Sequence, residues 1–267
     1  MTRVALALLS LTVACGAANA DARRIVSLDF CADQYVLKLL PRDRVLAVSP
    51  DADRHFSYLR EAAAGLRQVR PVAEDVLALQ PDLIVRSYGG GAHAVSFFER
   101  AGVPVVQVPF ANDIAGIRES ALQIADALGA SAAGEALVAE MDRRLERLDQ
   151  AASAQRDVLY MTPSGVTTGP GTLVHEMLIT AGLSNFQTEA GWRSLPLERL
   201  AYEQPDLVAA SFFSAETNHP AMWSAMRHPV ARRQLTDLPV VMLDGAWTAC
   251  GGWFLLDAIE ALADAAD

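Results

Sequence analysis

One segment of the chain occurs twice, and this duplication constrains the fold more than any other feature of the sequence. The first copy, AEDVLALQPDLIVRS, occupies residues 73–87, and the second, LERLAYEQPDLVAAS, occupies residues 197–211. The two glutamates, Glu74 and Glu198, differ in position by 198 − 74 = 124. In each copy a short helical pattern ends at a proline and a strand-like apolar run follows. The repeated helix–turn–strand unit predicts two similar halves.

Both halves alternate short apolar strands with helices, which is typical of a parallel sheet covered on both faces. The predicted class is therefore α/β, with two doubly wound lobes. We expect an N-terminal lobe at residues 21–112, a helical segment at 113–153 and a C-terminal lobe at 154–267. In the second half, helices are predicted at residues 197–204, 220–235 and 251–266.

The segment between the halves has no strand pattern and predicts a long helix that joins the lobes. Its second part, residues 131–152, carries an apolar stripe at Ala136, Leu137, Met141, Leu145 and Leu148, with charged residues on the other face. About twenty helical residues extend roughly 30 Å, the width of a small domain. The lobes are thus expected to be joined by a helix and not by a flexible Gly/Ser linker.

The first twenty residues have the pattern of a secretory signal peptide. Arg3 precedes the apolar run VALALLSLTVA, and the motif ANA at 18–20 forms an A-x-A cleavage site. In an alternative interpretation Cys15 is a lipid-attachment site, because TVAC loosely resembles a lipobox. No later segment reaches the length of about twenty apolar residues that a spanning helix needs. The sequence predicts an exported protein, and its formal net charge of −10 argues against a nucleic-acid partner.

The two repeated glutamates lie in the first turn of their predicted helices. A single glutamate there is explained by the helix dipole, a gain of roughly 0.3–1 kcal/mol. Two equivalent acids, Glu74 and Glu198, would instead present one negative side chain on each lobe. Such a pair suits docking onto a partner that is itself two-fold and offers positive sockets.

The chain resembles the periplasmic substrate-binding proteins of ABC importers for cobalamin and ferric siderophores. Among these proteins it resembles the branch in which a rigid helix joins the two lobes. The resemblance rests on RIVSL, EDVLALQPDLIV, the interlobe helix, LPLERLAYEQPDLV and DGAWTACGGWFLLDAIEAL. It implies a class III periplasmic-binding-protein fold, no enzymatic activity and no intrinsic cofactor. The transported ligand would be a ferric siderophore, haem or cobalamin. The resemblance also implies a monomer that docks on the permease dimer of an ABC transporter, whose arginines engage Glu74 and Glu198.

The ligand of such a fold binds beyond the carboxyl ends of the strands. Aromatic residues collect there, which suits a large, flat or rigid ligand such as a corrin, a porphyrin or a metal-bound siderophore. The predicted ligand-binding residues are Phe30, Arg86, Tyr88, Trp192, Arg193, Phe212 and Trp247. The aromatic residues on predicted helices are assigned to the core, namely Phe97, Phe98, Trp223 and Phe254.

The arginines bear on the class of ligand. Arg86 directly follows a buried strand, and its guanidinium there suits the carboxylate or catecholate oxygens of an anionic chelate. The alternative is a structural ion pair with Asp29 or Asp82. If both Arg86 and Arg193 face the ligand, an anionic ferric chelate is favoured over neutral cobalamin.

Two other functions were weighed on the sequence. Direct binding of Zn²⁺ or Mn²⁺ requires several converging His and carboxylate ligands, and the five histidines show no ligand spacing, so no metal site is predicted. A two-lobed exported enzyme lacks motif support, because TPSGVTTG is not a G-x-S-x-G elbow and YGGGAH lacks the phosphate-loop lysine.

The mature chain keeps two cysteines, which are expected at the rim of the cleft. Cys31 is predicted at the start of the first helix of one lobe and Cys250 at the start of the last helix of the other. In an oxidising compartment a disulfide between them would hold the lobes together. Two separate thiols, or thiolates that contact the ligand, are the alternatives.

Overall fold

The computed structural model describes residues 22–151, 156–211 and 224–265. The predicted signal peptide, with Cys15, lies outside the described residues, and so do Phe212 and Trp223. No helix within the described ranges is long and apolar enough to cross a membrane.

The first lobe is built on a four-stranded parallel sheet in the order β2-β1-β3-β4. Its strands are β1 (Ile25–Ser27), β2 (Val45–Ala47), β3 (Leu83–Arg86) and β4 (Val105–Gln107). Helices α1 (Phe30–Leu39), α2 (Arg60–Ala63), α3 (Ala73–Leu77) and α4 (Ala94–Arg100) connect them. Strands β1 and β3 are buried along their whole length, as their apolar sequences require.

The second lobe repeats this architecture with a parallel sheet in the order β10-β9-β5-β7 and a two-stranded antiparallel ribbon of β6 and β8. Its strands are β5 (Asp157–Met161), β6 (Val166–Thr168), β7 (Ser184–Asn185), β8 (Trp192–Ser194), β9 (Leu207–Ser211) and β10 (Val240–Leu243). Its helices are α7 (Leu173–Thr180), α8 (Pro229–Asp237), α9 (Gly245–Thr248) and α10 (Leu255–Asp264). Two lobes with parallel sheets therefore follow from the duplicated sequence.

The repeated motif Gln-Pro-Asp makes the same contact in both lobes. The Asp82 carboxylate accepts a hydrogen bond from the backbone N–H of Arg24, just before β1, at 3.1 Å. The Asp206 carboxylate accepts from the N–H of Asp157, the first residue of β5, at 2.8 Å. Each aspartate thus fixes the start of a neighbouring central strand, which explains why the motif recurs.

Two antiparallel-packed helices, and not one, fill the segment between the lobes. They are α5 (Ile114–Ala127) and α6 (Ser131–Ala151), and the predicted long helix corresponds to α6. Asp113 caps α5 by accepting a hydrogen bond from the N–H of Gly116 at 2.6 Å. Gly134 on α6 lies so close to α5 that a Cβ would approach Ala125 Cβ to 2.4 Å. The predicted boundary at residue 112 falls between β4 and α5, and the one at 153 lies outside the described residues.

The lobes meet directly along one surface, here called the interlobe contact, which joins α1 and Tyr58 of the first lobe to residues 250–257 of the second. The Tyr35 ring lies 5.3 Å from Trp253, and its hydroxyl donates to the carbonyl of Gly251 at 3.4 Å. Tyr58 stacks on Phe254 at 4.9 Å. The largest buried apolar cluster runs through both lobes and α5–α6 without interruption. The two sheets therefore share one core.

A series of hydrogen-bonded polar side chains extends the interlobe contact on the side that faces α6. The Tyr58 hydroxyl donates to Asp257 at 2.8 Å, and burial together with this bond raises the pKa of Tyr58 to about 12. Asp257 and Glu260 both accept from Arg144 of α6, at 2.6 Å each. The hydrogen bonds that Arg144 donates to Glu260 and Asp257 raise the pKa of Arg144, which therefore keeps its positive charge at any physiological pH. These hydrogen bonds connect the first lobe, the second lobe and α6 at one place.

Three predicted helices differ from the structure. The segment 197–204 forms only a 3₁₀ turn at Arg199–Ala201. The prolines that flank this turn, Pro196 and Pro205, are 205 − 196 = 9 positions apart, whereas those of the first copy, Pro71 and Pro81, are 81 − 71 = 10 positions apart. Of the predicted helix 220–235, only residues 224–235 are described, and they form a 3₁₀ turn, Ala225–Arg227, followed by α8, because His228 precedes a proline and is extended. The final helix begins at Leu255 and not at residue 251.

Phe98 and Phe254 are buried, whereas Phe97 is 41% exposed and does not belong to the core.

Asp33 is a buried carboxyl whose ionisation opposes folding. Asp33 lies on the buried face of α1. Its carboxyl group accepts hydrogen bonds from the backbone N–H of Ser49 at 3.1 Å and from the Ser49 hydroxyl at 2.6 Å. Burial raises its pKa from 3.8 to about 6. The folded protein therefore holds this proton between pH 4 and 6 while the unfolded chain releases it, so this group's contribution to stability falls as pH rises through that window.

We predict that Asp33→Asn raises the free energy of unfolding at pH 7.5 by up to about 3 kcal/mol and changes it little at pH 4. Asparagine can accept from the Ser49 N–H and donate to its hydroxyl, so the contacts survive. Denaturant unfolding at both pH values measures the difference. The exposed Asp43→Asn is the control, with no pH-dependent effect. An Asp33→Asn effect equal at both pH values would contradict the account.

Candidate functional site

The carboxyl ends of the first lobe's strands are organised by Asp29, which lies 3% exposed between β1 and α1. One carboxylate oxygen caps α1 through the N–H of Ala32 at 3.0 Å. The other accepts from the N–H groups of Ser87, Tyr88 and Gly89 at 2.7, 3.0 and 2.8 Å. A single buried carboxylate therefore fixes the loop that follows β3, and sequence reasoning had considered Asp29 only as an ion-pair partner.

Arg86 holds the same loop through hydrogen bonds to its backbone, and its predicted ion pair with Asp29 or Asp82 is wrong. Its side chain is 7% exposed, and Nε and Nη2 donate to the carbonyls of Gly89 and Gly91 at 2.7 and 3.2 Å. The structure forms no ion pair from Arg86 to Asp29 or Asp82. The guanidinium is turned toward the loop backbone because the glycine carbonyls point back into the lobe. Its predicted contact with the ligand stays a prediction.

The loop displays Tyr88 beside an aromatic cluster. Tyr88 is 54% exposed, and its ring lies 6.1 Å from Phe30, which lies 4.9 Å from Phe56. Burial of the hydroxyl and the nearby carboxylates of Asp29 and Asp51 raise the pKa of Tyr88. The Tyr88 hydroxyl is therefore protonated and acts as a hydrogen-bond donor. Phe30 and Tyr88, both predicted ligand residues, are brought together at this edge of the sheet.

A cavity of about 870 Å³ opens on the second lobe, beside the interlobe contact. Its rim carries Trp192 from β8 and Phe110 from the segment between β4 and α5, so it draws on both halves of the chain. Its described lining consists of Phe110, Ala111, Asn112, Tyr160, Thr162, Pro163, Ser164, Val166, Gly171, Thr172, Leu173, Val174, Gly191, Trp192, Thr248, Ala249, Cys250, Gly251 and Leu255. No charged side chain is among these residues.

The floor of the cavity is built from hydroxyl groups. Tyr160, which is 1% exposed, hydrogen-bonds with Ser211 at the end of β9, and burial raises its pKa. Ser211 in turn shares a 2.9 Å hydrogen bond with Thr248. Thr162 lines the cavity with its hydroxyl 3.0 Å from that of Ser164. The floor thus offers neutral donors and acceptors, suited to amides or other uncharged polar groups.

Trp192 and Arg193, predicted together, lie on opposite faces of the β6–β8 ribbon. Consecutive residues of a strand point to opposite sides. Trp192 faces the cavity, with its ring 6.2 Å from Tyr160. Arg193 faces a different surface depression, donates to the carbonyl of Ala190 at 3.2 Å and pairs with Glu189 at 3.5 Å. The prediction that Arg193 contacts ligand in the cleft is therefore not supported by its position.

Trp247, a further predicted contact, is not among the described residues that line this cavity. Trp247 is half-buried on α9 and packs against the shared core. Phe212 lies outside the described residues. Phe110 is 89% exposed at the rim, and its place after a strand puts it among the residues expected at the cleft, although it is not one of the seven predicted ligand contacts. The available signal was its position just after β4, where ligands of α/β folds bind.

Cys31 and Cys250 are joined by a disulfide that lies on the cavity wall. Cys31 is the second residue of α1, and Cys250 follows α9 and precedes α10, so its predicted place at the start of the last helix is wrong. The bond connects residues 219 positions apart and spans the two lobes next to the Tyr35–Gly251 hydrogen bond.

The two repeated acids are both exposed to solvent. Glu74 lies in the first turn of α3, and Glu198 immediately precedes its 3₁₀ turn. Within the described residues neither Glu74 nor Glu198 forms a salt bridge. A nearby acid does so in each lobe, because Asp75 pairs with Arg70 at 2.7 Å and Glu203 pairs with Arg199 at 2.6 Å. Among the described residues, Glu74 and Glu198 are therefore each an exposed carboxylate without a salt bridge that lies near a neutralised pair. Among the described residues no group of three or more His, Cys, Asp or Glu side chains is arranged to hold a metal ion.

Comparison with known proteins gives a consistent result. The family model described as "Periplasmic binding protein" matches residues 31–219. A cobalamin-binding protein of Halobacterium salinarum is 29% identical over 203 residues, covering 71% of this chain and 54% of the relative. The chain thus spans about half the length of the curated relatives it matches.

Solved structures share the fold at low sequence identity. A periplasmic heme-binding protein from Pseudomonas aeruginosa has a TM-score of 0.71 at 23% identity, with 92% of each chain covered. The periplasmic vitamin B12-binding protein of Vibrio cholerae has a TM-score of 0.66 at 22% identity, with 91% of this chain and 96% of that chain covered. A possible iron-binding protein of Staphylococcus epidermidis reaches 0.74 at 19% identity, with 91% and 98% covered. These neighbours have the class III periplasmic-binding-protein fold.

We predict that the unreduced chain from Asp21 onward, unfolded in denaturant with an alkylating reagent, gains no alkyl groups, and gains two after reduction. Reduction should also lower the free energy of unfolding by about 2–5 kcal/mol. Intact-mass spectrometry and denaturant titration measure these quantities, with Cys250→Ser as the matched single-thiol control. Two alkyl groups on the unreduced chain would rule the bond out.

Proposed function

Because this chain belongs to the periplasmic binding protein family, we propose that it is the receptor of an ABC importer, which captures a metal chelate between its lobes and delivers it to the permease. The observation that carries this proposal is the 870 Å³ cavity at the junction of the lobes, with exposed aromatic side chains at its rim. Cavities of this size, largely apolar with a few placed polar groups, are typical of small-molecule sites. No catalytic residues are assigned.

We further propose that the chelate is an uncharged macrocycle of the corrinoid class. The described lining carries hydroxyl and amide groups but no charged side chain. Burial of a carboxylate or catecholate there would leave its charge unpaired, which is costly. Arg86 and Arg193, the basis for favouring an anionic ferric chelate, both bind elsewhere. The similarity to a cobalamin-binding relative supports the same class.

Delivery is proposed to depend on the exposed acids Glu74 and Glu198. Because the Arg70–Asp75 and Arg199–Glu203 pairs neutralise the adjacent acids, each lobe offers a single carboxylate to a complementary positive socket. Two equivalent acids fit a permease dimer with one socket on each subunit. Residues 1–20 are proposed to export the chain to the periplasm, where it acts as a monomer without a lipid anchor at Cys15.

The cargo class is tested by isothermal titration with cyanocobalamin, dicyanocobinamide, haemin, ferrichrome and ferric enterobactin. We expect saturable binding of a corrinoid, with a melting temperature that rises with its concentration, and no binding of the trianionic ferric enterobactin. Exclusive binding of haemin or of a ferric chelate would reassign the cargo. Binding of Zn²⁺ or Mn²⁺ alone would replace the proposal with a metal-ion receptor.

The docking role is tested with Glu74→Ala combined with Glu198→Ala. We expect unchanged corrinoid affinity and loss of uptake of radiolabelled cyanocobalamin by cells that carry the receptor and its permease. The exposed Glu99→Ala serves as the control and should leave both unchanged. Reduced affinity in the double variant would place the acids in the binding site and contradict the docking role.

A further inference from the structure

We infer that three arginines on the second lobe bind the anionic headgroups of a phospholipid bilayer. They are Arg227, in the 3₁₀ turn Ala225–Arg227, and Arg232 and Arg233 of α8, here called the arginine patch. The inference rests on the proposed docking role of Glu198, because a membrane-embedded permease would bring this end of the lobe to the bilayer. It adds a second partner, the lipid, to that docking.

The arginine patch is a local positive surface on an acidic protein. Residues 224–237 contain three arginines and one acid, Asp237, so their formal charge is 3 − 1 = +2, whereas the whole chain carries −10. All three arginines are exposed. None of them forms a salt bridge among the described residues, whereas Arg193 and Arg199 of the same lobe each pair with a glutamate. The positive charge of the patch is therefore available to an external partner.

The fold does not require these arginines. Helix α8 packs on the lobe through Val230, Ala231 and Gln234, which are buried, whereas its arginines are exposed. The equivalent helix of the first lobe is α4, which connects β3 to β4 as α8 connects β9 to β10. That helix carries Glu99 and Arg100 and is neutral. The patch is thus not part of the duplicated pattern, which points to a function specific to the second lobe.

Gly165 places the arginine patch beside the docking acid. It follows β5, at the carboxyl end of the sheet, and its carbonyl accepts a hydrogen bond from the N–H of Leu195 at 3.0 Å. Leu195 precedes Glu198 by three residues. The same glycine packs so closely on Ala225 that a Cβ would approach Ala225 Cβ to 2.8 Å. Since Arg227 follows Ala225 by two residues, the patch and Glu198 lie at the same end of the lobe.

An exposed tyrosine lies close to the arginine patch. Tyr202 is 92% exposed and follows the 3₁₀ turn Arg199–Ala201, which packs against α8. Tyrosine is enriched at membrane–water interfaces, because its ring is apolar while its hydroxyl stays in the polar headgroup layer. Peripheral binding to a bilayer combines such rings with basic side chains that are attracted to anionic lipids. Both components are present at this end of the lobe.

The charge distribution favours lipid over an acidic protein as the partner. Glu198 is proposed to enter a positive socket, so the permease surface that meets this end of the lobe would itself be positive. Such a surface would repel the arginine patch, whereas the anionic headgroups around the permease would attract it. The same headgroups repel the acidic remainder of the protein, which leaves the patch as the part that approaches the bilayer.

The test is flotation of the chain from Asp21 onward with two kinds of vesicle. One is phosphatidylcholine that contains about one third phosphatidylglycerol, and the other is phosphatidylcholine alone, both at about 0.1 M salt. The patch variant combines Arg227→Gln, Arg232→Gln and Arg233→Gln.

The matched control removes the same charge from the opposite, amino ends of the first lobe's strands. Arg23 precedes β1, and Lys38 and Arg100 end the helices that lead into β2 and β4. All three are exposed, and none forms a salt bridge within the described ranges. The control variant combines Arg23→Gln, Lys38→Gln and Arg100→Gln.

We expect the wild type to bind the anionic vesicles and not the neutral ones, with binding that weakens as the salt concentration rises. The patch variant should lower the partition coefficient roughly 10- to 100-fold, since each cation near an anionic surface strengthens binding about fivefold. The control variant should stay within about twofold of the wild type, because charges more than about 10 Å from the bilayer are screened at this salt concentration. Both variants should keep the wild-type melting temperature.

Equal weakening by the patch and control variants would overturn the inference, and so would equal binding of the wild type to both kinds of vesicle. A wild type that binds neither kind would also overturn it and would leave an acidic protein surface as the partner that the patch fits. The vesicles contain neither permease nor cargo, so a failure of the proposed receptor function appears only in the uptake and titration assays.

Discussion

The direct contact between the lobes is the interaction on which the rest of this structure depends. Helix α1 of the first lobe packs on residues 250–257 of the second through Tyr35, and Tyr58 joins Asp257 and, through it, Arg144 of α6. The disulfide between Cys31 and Cys250 fixes the same contact covalently. Apolar, polar and covalent links thus coincide on one surface, and the shared core continues beneath it. Parting of the lobes would break all of them together.

This contact also positions the cavity. Cys250 and Gly251 form part of the cavity wall. Ala111 is buried against Gly251, and this packing places the adjacent Phe110 at the rim of the cavity. A cleft built on such a contact is largely formed before ligand arrives, which reduces the entropic cost of binding. It also keeps Glu74 and Glu198 at a fixed separation, as a rigid two-fold partner requires. The proposed capture and the proposed docking would therefore both depend on the same packing.

Much of the fold follows from the sequence because the duplicated unit is local. The Gln-Pro-Asp motif and its apolar strand predict the same element twice, and Asp82 and Asp206 bond equivalently at the starts of β1 and β5. The exposure of the repeated glutamates follows from the same pattern. Helix type was harder to predict, since the second copy keeps the spacing of the first from glutamate to proline and yet forms only a 3₁₀ turn.

The site was predicted less completely because side-chain direction depends on contacts distant in sequence. Arg86 follows a buried strand as expected, but its guanidinium turns to glycine carbonyls whose orientation no sequence pattern indicates. Trp192 and Arg193 are adjacent, and only the pairing of β8 with β6 decides which one faces the cavity. Phe110 follows β4, which places it near the cleft, but only the structure shows that its ring is 89% exposed at the rim of the cavity.

The most direct test of this account is the distance between the two docking surfaces with and without cargo. Nitroxide labels on unnatural amino acids at Ala78 and Tyr202, exposed and 124 residues apart, leave the native disulfide intact. Double electron–electron resonance should give one narrow distance distribution that cyanocobalamin at saturation does not move. A broad or split distribution in the free protein, or a shift on binding, would show that the lobes separate and would contradict the account.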